Sequence, residues 1–270
     1  MRTLHFLPLL GLLLAAGSAL AECAPLRLGY VDQHRPPYFL GSGNAEASPA
    51  GAAVDLIREA AAVAGCKVIT MRLPPARLRS ALKAGAIDVM SMEAVEADKG
   101  LYALPLDAAG KLDVAKALRV HTVVFVRAGD TALGSNDPAR EFGQRWLGSN
   151  YAAPLVAQLR KQGFRVDDGA LDTERNLEKL VRHRIDGYAI SVAAPGDMDN
   201  WVAAKYGNAV VRLERPIQTN NIWLAMSKDY QARHPAQVAA MWDWVAEHGR
   251  QRFAKLVRKY DKHLSAAPGG

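Results

Sequence analysis

Cys23 and Cys66 are the only cysteines, and each stands at the head of an apolar, β-rich run. If those runs are neighbouring strands, the two sulfurs start side by side and a structural disulfide can form in an oxidising compartment; otherwise they are two small unpaired residues. Two cysteines are too few for a disulfide scaffold or a four-cysteine zinc site. The seven histidines are scattered, and neither His-Glu-x-x-His nor Cys-x-x-Cys occurs, so metal catalysis has little support and no cofactor is expected. The absence of a Gly-x-Ser-x-Gly elbow and of a Walker-type loop argues against a hydrolase of that type and an NTPase. Glu93 and Lys99 are residue types that form a general acid/base pair, but nothing in their spacing fixes a mutual geometry. The densest basic stretch runs Arg250, Arg252, Lys255, Arg258, Lys259 and Lys262. Phe253, Leu256, Val257 and Tyr260 interrupt it at helical spacing, as in a helix buried on one face and solvated on the other.

These residues need elements to hold them. Residues 1–21 pair one arginine with an apolar run from Phe6 to Ala16 and end in Ala19-Leu20-Ala21, the order of a secretory signal peptide. The run is shorter than the roughly 18–20 residues of a membrane span. The expected product is a soluble exported protein of the periplasm that begins near Glu22. The whole chain of 270 residues carries a net charge of +7 and is 50% hydrophobic, enough for a substantial core. Export puts nucleic acid out of reach, and no nucleic-acid motif accompanies the basic stretch, so nucleic acid is not an expected partner.

Past the signal, Leu26–Val31 reads as a strand, Gly51–Ala64 as a helix ended by Gly65, and Cys66–Leu73 as a strand. Pro75–Ala84 reads as a helix and Ile87–Met92 as a third strand. Strands alternating with short helices predict βαβ units and a parallel sheet. Glu93–Lys116 is polar and irregular, and His121–Val126 is a strand. A second series follows: helices over Ala153–Gln162 and Thr173–Arg182, strands over Ile185–Ile190 and Ile222–Met226, and a helical tail over Pro235–Lys262 with a break expected at Gly249. The two series echo one another: a helix, a tight turn and an Ile-Asp pair open a strand at Ile87-Asp88 and again at Ile185-Asp186.

In order, LRLGYVDQHRPPYF, GAAVDLIREAAAVAGCKV, LRSALKAGAIDVM, LVRHRIDGYAI, IWLAMSKDY and GRQRFAKLVRKYDK resemble successive segments of the family 3 extracytoplasmic solute-binding proteins, best known from polar amino-acid uptake. The resemblance covers nearly all of the chain after residue 21. It implies an α/β, two-lobed periplasmic-binding-protein-like (type II) fold, with two open sheets and flanking helices joined by two hinge strands. Lobe one would hold residues 22–119 plus 225–270 and lobe two residues 120–217, with hinges near 119–123 and 219–224. Ligand would sit between the lobes beyond the carboxyl ends of the strands. Hinge closure would be the signal read by a membrane permease complex of an ABC transporter, and the receptor would be a monomer and not an enzyme.

The resemblance also assigns a ligand-binding set. Tyr38 matches an aromatic that packs on ligand; the alternative is a Pro-Pro-Tyr turn packing on its own lobe. The carboxylate-binding stretch falls on Ser91-Met92-Glu93-Ala94-Val95, with Glu93 and Val95 where the family has Gly and Thr. The arginine that forks an α-carboxylate is replaced by Lys99 or Gly100, and lysine lacks the planar fork. Gly148-Ser149-Asn150-Tyr151 resembles the anion-cradling turn before a helix. Ser191 takes the place of the acid that receives an ammonium group. Both charged anchors of an α-amino acid are therefore altered. The expectation is a small polar ligand other than a standard α-amino acid, with Glu93 suiting a cationic or hydroxylated one unless it is a solvated loop acid. A dehydratase-like cleft enzyme of the same fold and a sensor without uptake are the alternatives.

Overall fold

The computed structural model describes residues 23–130 and 142–266; residues 1–21, expected to be a signal peptide, lie outside them. The first series is β1 (Cys23–Val31), α1 (Ala52–Val63), β2 (Cys66–Leu73), α2 (Pro75–Lys83) and β3 (Val89–Met92). Two short 3-10 turns, Glu96–Gly100 and Val114–Lys116, fill the polar region before β4 (Leu118–Arg127). The second series is β5 (Trp146–Asn150), α3 (Pro154–Lys161), β6 (Arg165–Ala170), α4 (Thr173–Val181), β7 (Gly187–Val192), α5 (Asp199–Tyr206) and β8 (Val210–Arg212). The chain returns through β9 (Gln218–Met226) to α6 (Lys228–Arg233), α7 (Pro235–Trp244) and α8 (Arg250–Ala266).

The strands run in the order β2-β1-β3-β9-β4-β7-β5-β6, with β8 on β4. β1 lies parallel between β2 and β3, and β5 lies parallel between β6 and β7, so each half repeats one three-stranded unit. β9 runs antiparallel to β3 through Trp223–Met226 and antiparallel to β4 through Gln218–Ile222. β4 continues antiparallel to β7. Two antiparallel strands thus tie one parallel unit to the other, which is the two-lobed architecture.

The Ile-Asp echo has a structural cause. In the first half the Asp88 N–H donates to the Arg27 carbonyl at 2.8 Å, and the Arg27 N–H returns to Asp88 Oδ2 at 2.9 Å. In the second half the Asp186 N–H donates to the Trp146 carbonyl at 2.8 Å, and the Trp146 N–H returns to Asp186 Oδ2 at 2.8 Å. Two residues after each of those strand positions stands a glycine against which the neighbouring isoleucine is packed. A Cβ on Gly29 would overlap Ile87 Cδ1, and one on Gly148 would overlap Ile185 Cδ1. Each pair therefore joins an apolar knob to a carboxylate that caps the adjoining strand's exposed N–H.

The cysteines are register partners on β1 and β2 and form a disulfide with a Cα–Cα distance of 4.8 Å. In α1, Val54, Leu56, Ile57, Ala60 and Ala61 are buried, and the inner face of α8 (Phe253, Leu256, Val257, Tyr260) is buried with them in one cluster. Tyr260 OH donates to Asp55 Oδ2 at 2.7 Å, and Arg252 pairs with Glu59 at 2.5 Å. The basic stretch is thus one solvated helix face with part of its charge neutralised. The break expected at Gly249 is instead a π-helical turn over Val245–Gly249 that carries the helix onward. A Cβ on Gly249 would come within 3.3 Å of Leu118 Cδ2 and 3.1 Å of Val245 Cγ1, so the glycine there allows close packing rather than ending the helix.

Candidate ligand-binding cleft

A cleft of about 230 Å³ lies where the two halves face each other. The first half lines it with the end of β1, the loop from β1 to α1, and β3; the second half lines it with the ends of β5 and β7; β4 and β9 form its floor. Parallel strands carry their carboxyl ends to one side of the sheet, which gathers these loops and strand ends from distant parts of the sequence. Most of the lining is apolar, including Leu56, Met90, Leu118, Ile222 and Phe253.

Of the residues singled out from the sequence, Tyr38, Ser91, Glu93, Ser149, Asn150 and Ser191 all line this cleft. Tyr151 does not; its side chain is exposed, and its backbone carbonyl accepts from Gln33 Nε2 at 3.1 Å. Ser149 and Asn150 end β5, and a turn at Tyr151-Ala152 leads into α3 at Pro154, so the stretch is a strand end followed by a turn before the helix. The close packing of Gly148 on Ile185 and Asn176 holds it extended. The Asn150 side chain faces its own half, accepting from Asn176 Nδ2 and Tyr188 OH, both at 2.9 Å. Lys99 is not in the lining: it pairs with Glu96 and donates to the Gly110 carbonyl at 2.7 Å. Glu93 and Lys99 are therefore not brought together as an acid/base pair, because the 3-10 turn at Glu96–Gly100 points the lysine at its own loop.

Tyr38 is buried and does two things. Its ring lines the cleft with its centroid 5.8 Å from that of Phe253, and its hydroxyl crosses to the second half. There it donates to Asp197 Oδ2 at 2.7 Å and accepts the Ala193 N–H at 2.9 Å; the Ala194 N–H also donates to Asp197 Oδ2 at 2.7 Å. Burial pushes the Asp197 carboxyl up from its ordinary value, against the hydrogen bonds from Tyr38 and Ala194. Burial, together with the Asp197 charge, raises the Tyr38 phenol well above its own.

Glu93 is not a solvated loop acid. Its Oε2 accepts from Gln158 Nε2 on α3 at 2.6 Å and from Asn220 Nδ2 on β9 at 3.0 Å. Gln158 Oε1 in turn accepts from Gln218 Nε2 at 2.9 Å and Asn220 Nδ2 at 3.2 Å. The carboxylate thus links the first half to both the second half and a crossing strand. Asp197, Gln158, Asn220 and Gln33 carry no sequence motif and lie outside the lining; the pairing of the halves brings them into hydrogen bonds with Tyr38, Glu93 and Tyr151 at its rim. Arg35 carries no motif either. Its guanidinium lines the cleft from the β1–α1 loop, donating through Nε to Gln33 Oε1 at 3.1 Å, and Nη2 shares that same acceptor. Among the described residues no cluster of three or more His, Cys, Asp or Glu could hold a metal ion, and no helix is long and apolar enough to cross a membrane.

No family model and no curated sequence matches the chain. Solved structures do resemble it. An amino-acid ABC transporter substrate-binding protein, AbpA of Streptococcus pneumoniae, bound to L-arginine, aligns with a TM-score of 0.65 at 12% identity, over 90% of this chain and 97% of that one. The GluR0 ligand-binding core of Nostoc punctiforme in complex with glutamate aligns at 0.62 with 16% identity, over 87% and 99%. A histidine kinase sensor domain with similarity to periplasmic binding proteins aligns at 0.61 with 18% identity, over 87% and 95%. At such identities the likeness is one of fold, and the chain has the two-lobed, periplasmic-binding-protein-like α/β fold that these proteins share.

Proposed function

We propose that this chain is an exported solute-binding protein that closes two lobes around a small solute and presents it to a membrane transporter, and that the solute is not a standard α-amino acid. The observation that carries the reading is the interlobe cleft, floored by two crossing strands and bridged by hydrogen bonds from side to side. The lobes are residues 22–119 with 225–270 and residues 120–217, and the hinges lie near 119–123 and 219–224, where β4 and β9 pair. Tyr38, Ser91, Glu93, Ser149 and Ser191 are the ligand-facing set, and Asn150 belongs to the lining with its side chain turned to Asn176 and Tyr188. The amino-acid ligands of the similar structures support small-solute binding in general. The position of Lys99, turned to Glu96 and Gly110, supports a ligand lacking the usual α-carboxylate anchor. The Cys23–Cys66 disulfide supports an oxidising compartment.

The test is equilibrium binding to the purified chain across amino acids, polyamines, organic acids and sugars, with small-angle scattering to read closure. One solute class that both binds and compacts the protein is expected. If none does so, the solute-binding reading falls. Tight binding of an ordinary amino acid that loses nothing in Glu93→Gln overturns the exclusion of α-amino acids. A sensory role has one specific observation in its favour, the likeness to a kinase sensor domain; it uses the same cleft and the same closure, read by a different partner.

A further inference from the structure

Two guanidinium groups line the cleft, and their surroundings differ. Arg79, on α2, donates Nη1 to the Asp98 carboxylate at 3.0 Å and Nη2 to the Glu93 carbonyl at 2.8 Å, so its charge is matched. Arg35 has no carboxylate within ion-pair distance among the described residues. Its Nε and Nη2 converge on one neutral acceptor, the Gln33 amide oxygen, while three of its five N–H donors have no hydrogen-bond partner among the described residues. Desolvation lowers its pKa from the ordinary value, and the Asp32 charge supports it only from beyond ion-pair range. Arginine stays protonated under such a shift, so a charge faces the cleft with no carboxylate in ion-pair range among the described residues.

The groups around it share a character. Ser91 on β3, Ser149 on β5 and Ser191 on β7 line the same cleft, and none of their hydroxyls has a hydrogen-bond partner among the described residues. They come from both lobes and are free to donate. The acid of the cleft, Glu93, already accepts from two amides through Oε2. The rest of the wall is aliphatic or aromatic: Leu56, Ile57, Met90, Leu118, Ile222 and Phe253. A fork of unused N–H donors, hydroxyl donors and a large apolar wall fit a planar anion attached to a hydrocarbon body.

We propose that the cleft takes a small monocarboxylate with an apolar body, its carboxylate forked by Arg35 and its hydrocarbon part against the aliphatic and aromatic wall. The inference rests on the solute-binding reading above and narrows its ligand class. It moves the anion anchor from the loop after β3, where Lys99 faces away, to the loop after β1.

The experiment is titration calorimetry on the purified full chain with 4-methyl-2-oxopentanoate, hexanoate and benzoate, each against its amide, and with leucine and phenylalanine. Small-angle scattering on each mixture reads closure. At least one carboxylate is expected to bind and compact the protein, with its neutral amide weaker by about tenfold or more. Arg35→Gln should lose a similar factor for the carboxylate only, and Arg35→Lys should recover part of it. The comparison of acid with amide on the unaltered protein stands even where Arg35→Gln does not fold. Amides that bind as tightly as acids, or an amino acid that binds more tightly than the oxo acid, overturn the monocarboxylate assignment and leave solute binding intact. Closure with some other solute but none of these acids does the same. A chain that no solute of any class compacts overturns both.

Discussion

Tyr38 and Asp197 meet from opposite lobes, so their chemistry bears on closure as much as on stability. Tyr38→Phe removes the hydroxyl that donates to Asp197 and accepts from Ala193. The partners regain water only if the lobes part, which favours the open form by about 1–2 kcal/mol, close to a tenfold change in the closure equilibrium. A dye pair placed across the cleft reads this as a longer mean distance, and an unchanged distance argues that the bond contributes nothing to closure. Asp197 adds a pH dependence whose sign follows from burial. Its carboxyl is raised in the folded protein, so the folded state holds the proton more tightly than the unfolded chain. That contribution is fully present below the ordinary carboxylate range and is lost as pH rises through the raised value. Melting temperatures of the native chain and Asp197→Asn, compared from about pH 4 to about pH 7, should shift in favour of the variant as pH climbs. A difference independent of pH removes Asp197 from the account.

At the scale of elements, the paired aspartates make the strongest claim. Asp88 is buried and accepts the Arg27 backbone N–H besides the Arg27 guanidinium, so Asp88→Ala leaves a strand N–H without an acceptor and the guanidinium with only the Gly85 carbonyl. The expected loss is about 2–3 kcal/mol in urea unfolding. Gly29→Ala forces a methyl into fully buried Ile87 and should cost about 1–3 kcal/mol by overpacking. Parallel losses are expected from Asp186→Ala and Gly148→Ala, since the second half repeats the geometry. This unit was legible in the sequence because a short helix, a turn and Ile-Asp recur with the same neighbours. β5 and β6 were not: Trp146–Asn150 contains Gly-Ser-Asn and Arg165–Ala170 contains two aspartates and a glycine, weak strand formers that pairing with β7 and with each other makes extended. The site divided in the same way. Serines and an acid at strand ends are suggested by the resembling family, whereas Arg35 carries no motif of its own. Its importance depends on which carboxylates fail to reach it, and that is a property of the assembled cleft.

In the whole molecule, one buried apolar cluster runs across both halves, while the disulfide and the polar bonds between the lobes stand at separate places. The disulfide ties β1 to β2, and β2 is the outer edge of the sheet. Interlobe bonds run through Gln33, Tyr38 and Glu93, just past the carboxyl ends of β1 and β3 and away from Cys23 at the start of β1, and through Asn200, which donates to Asp261 at 2.8 Å. Reduction should therefore lower stability without opening the cleft. The cysteines are 43 residues apart, and constraining a loop of that length in the unfolded chain is worth about 4 kcal/mol in the chain-entropy account. Unfolding free energies from urea titration with and without reductant, or for Cys23→Ser with Cys66→Ser, should differ by about that amount, while the scattering radius of the folded protein stays the same. The complementary variant, Tyr38→Phe with Glu93→Ala, should enlarge the radius and change the unfolding free energy less than reduction does, because the buried clusters around Leu82 and Ile87 in the first lobe and around Phe142 and Leu159 in the second are untouched. If the reduced protein also expands, the staple and the hinge are mechanically coupled, and β1 transmits strain from the sheet edge to the cleft.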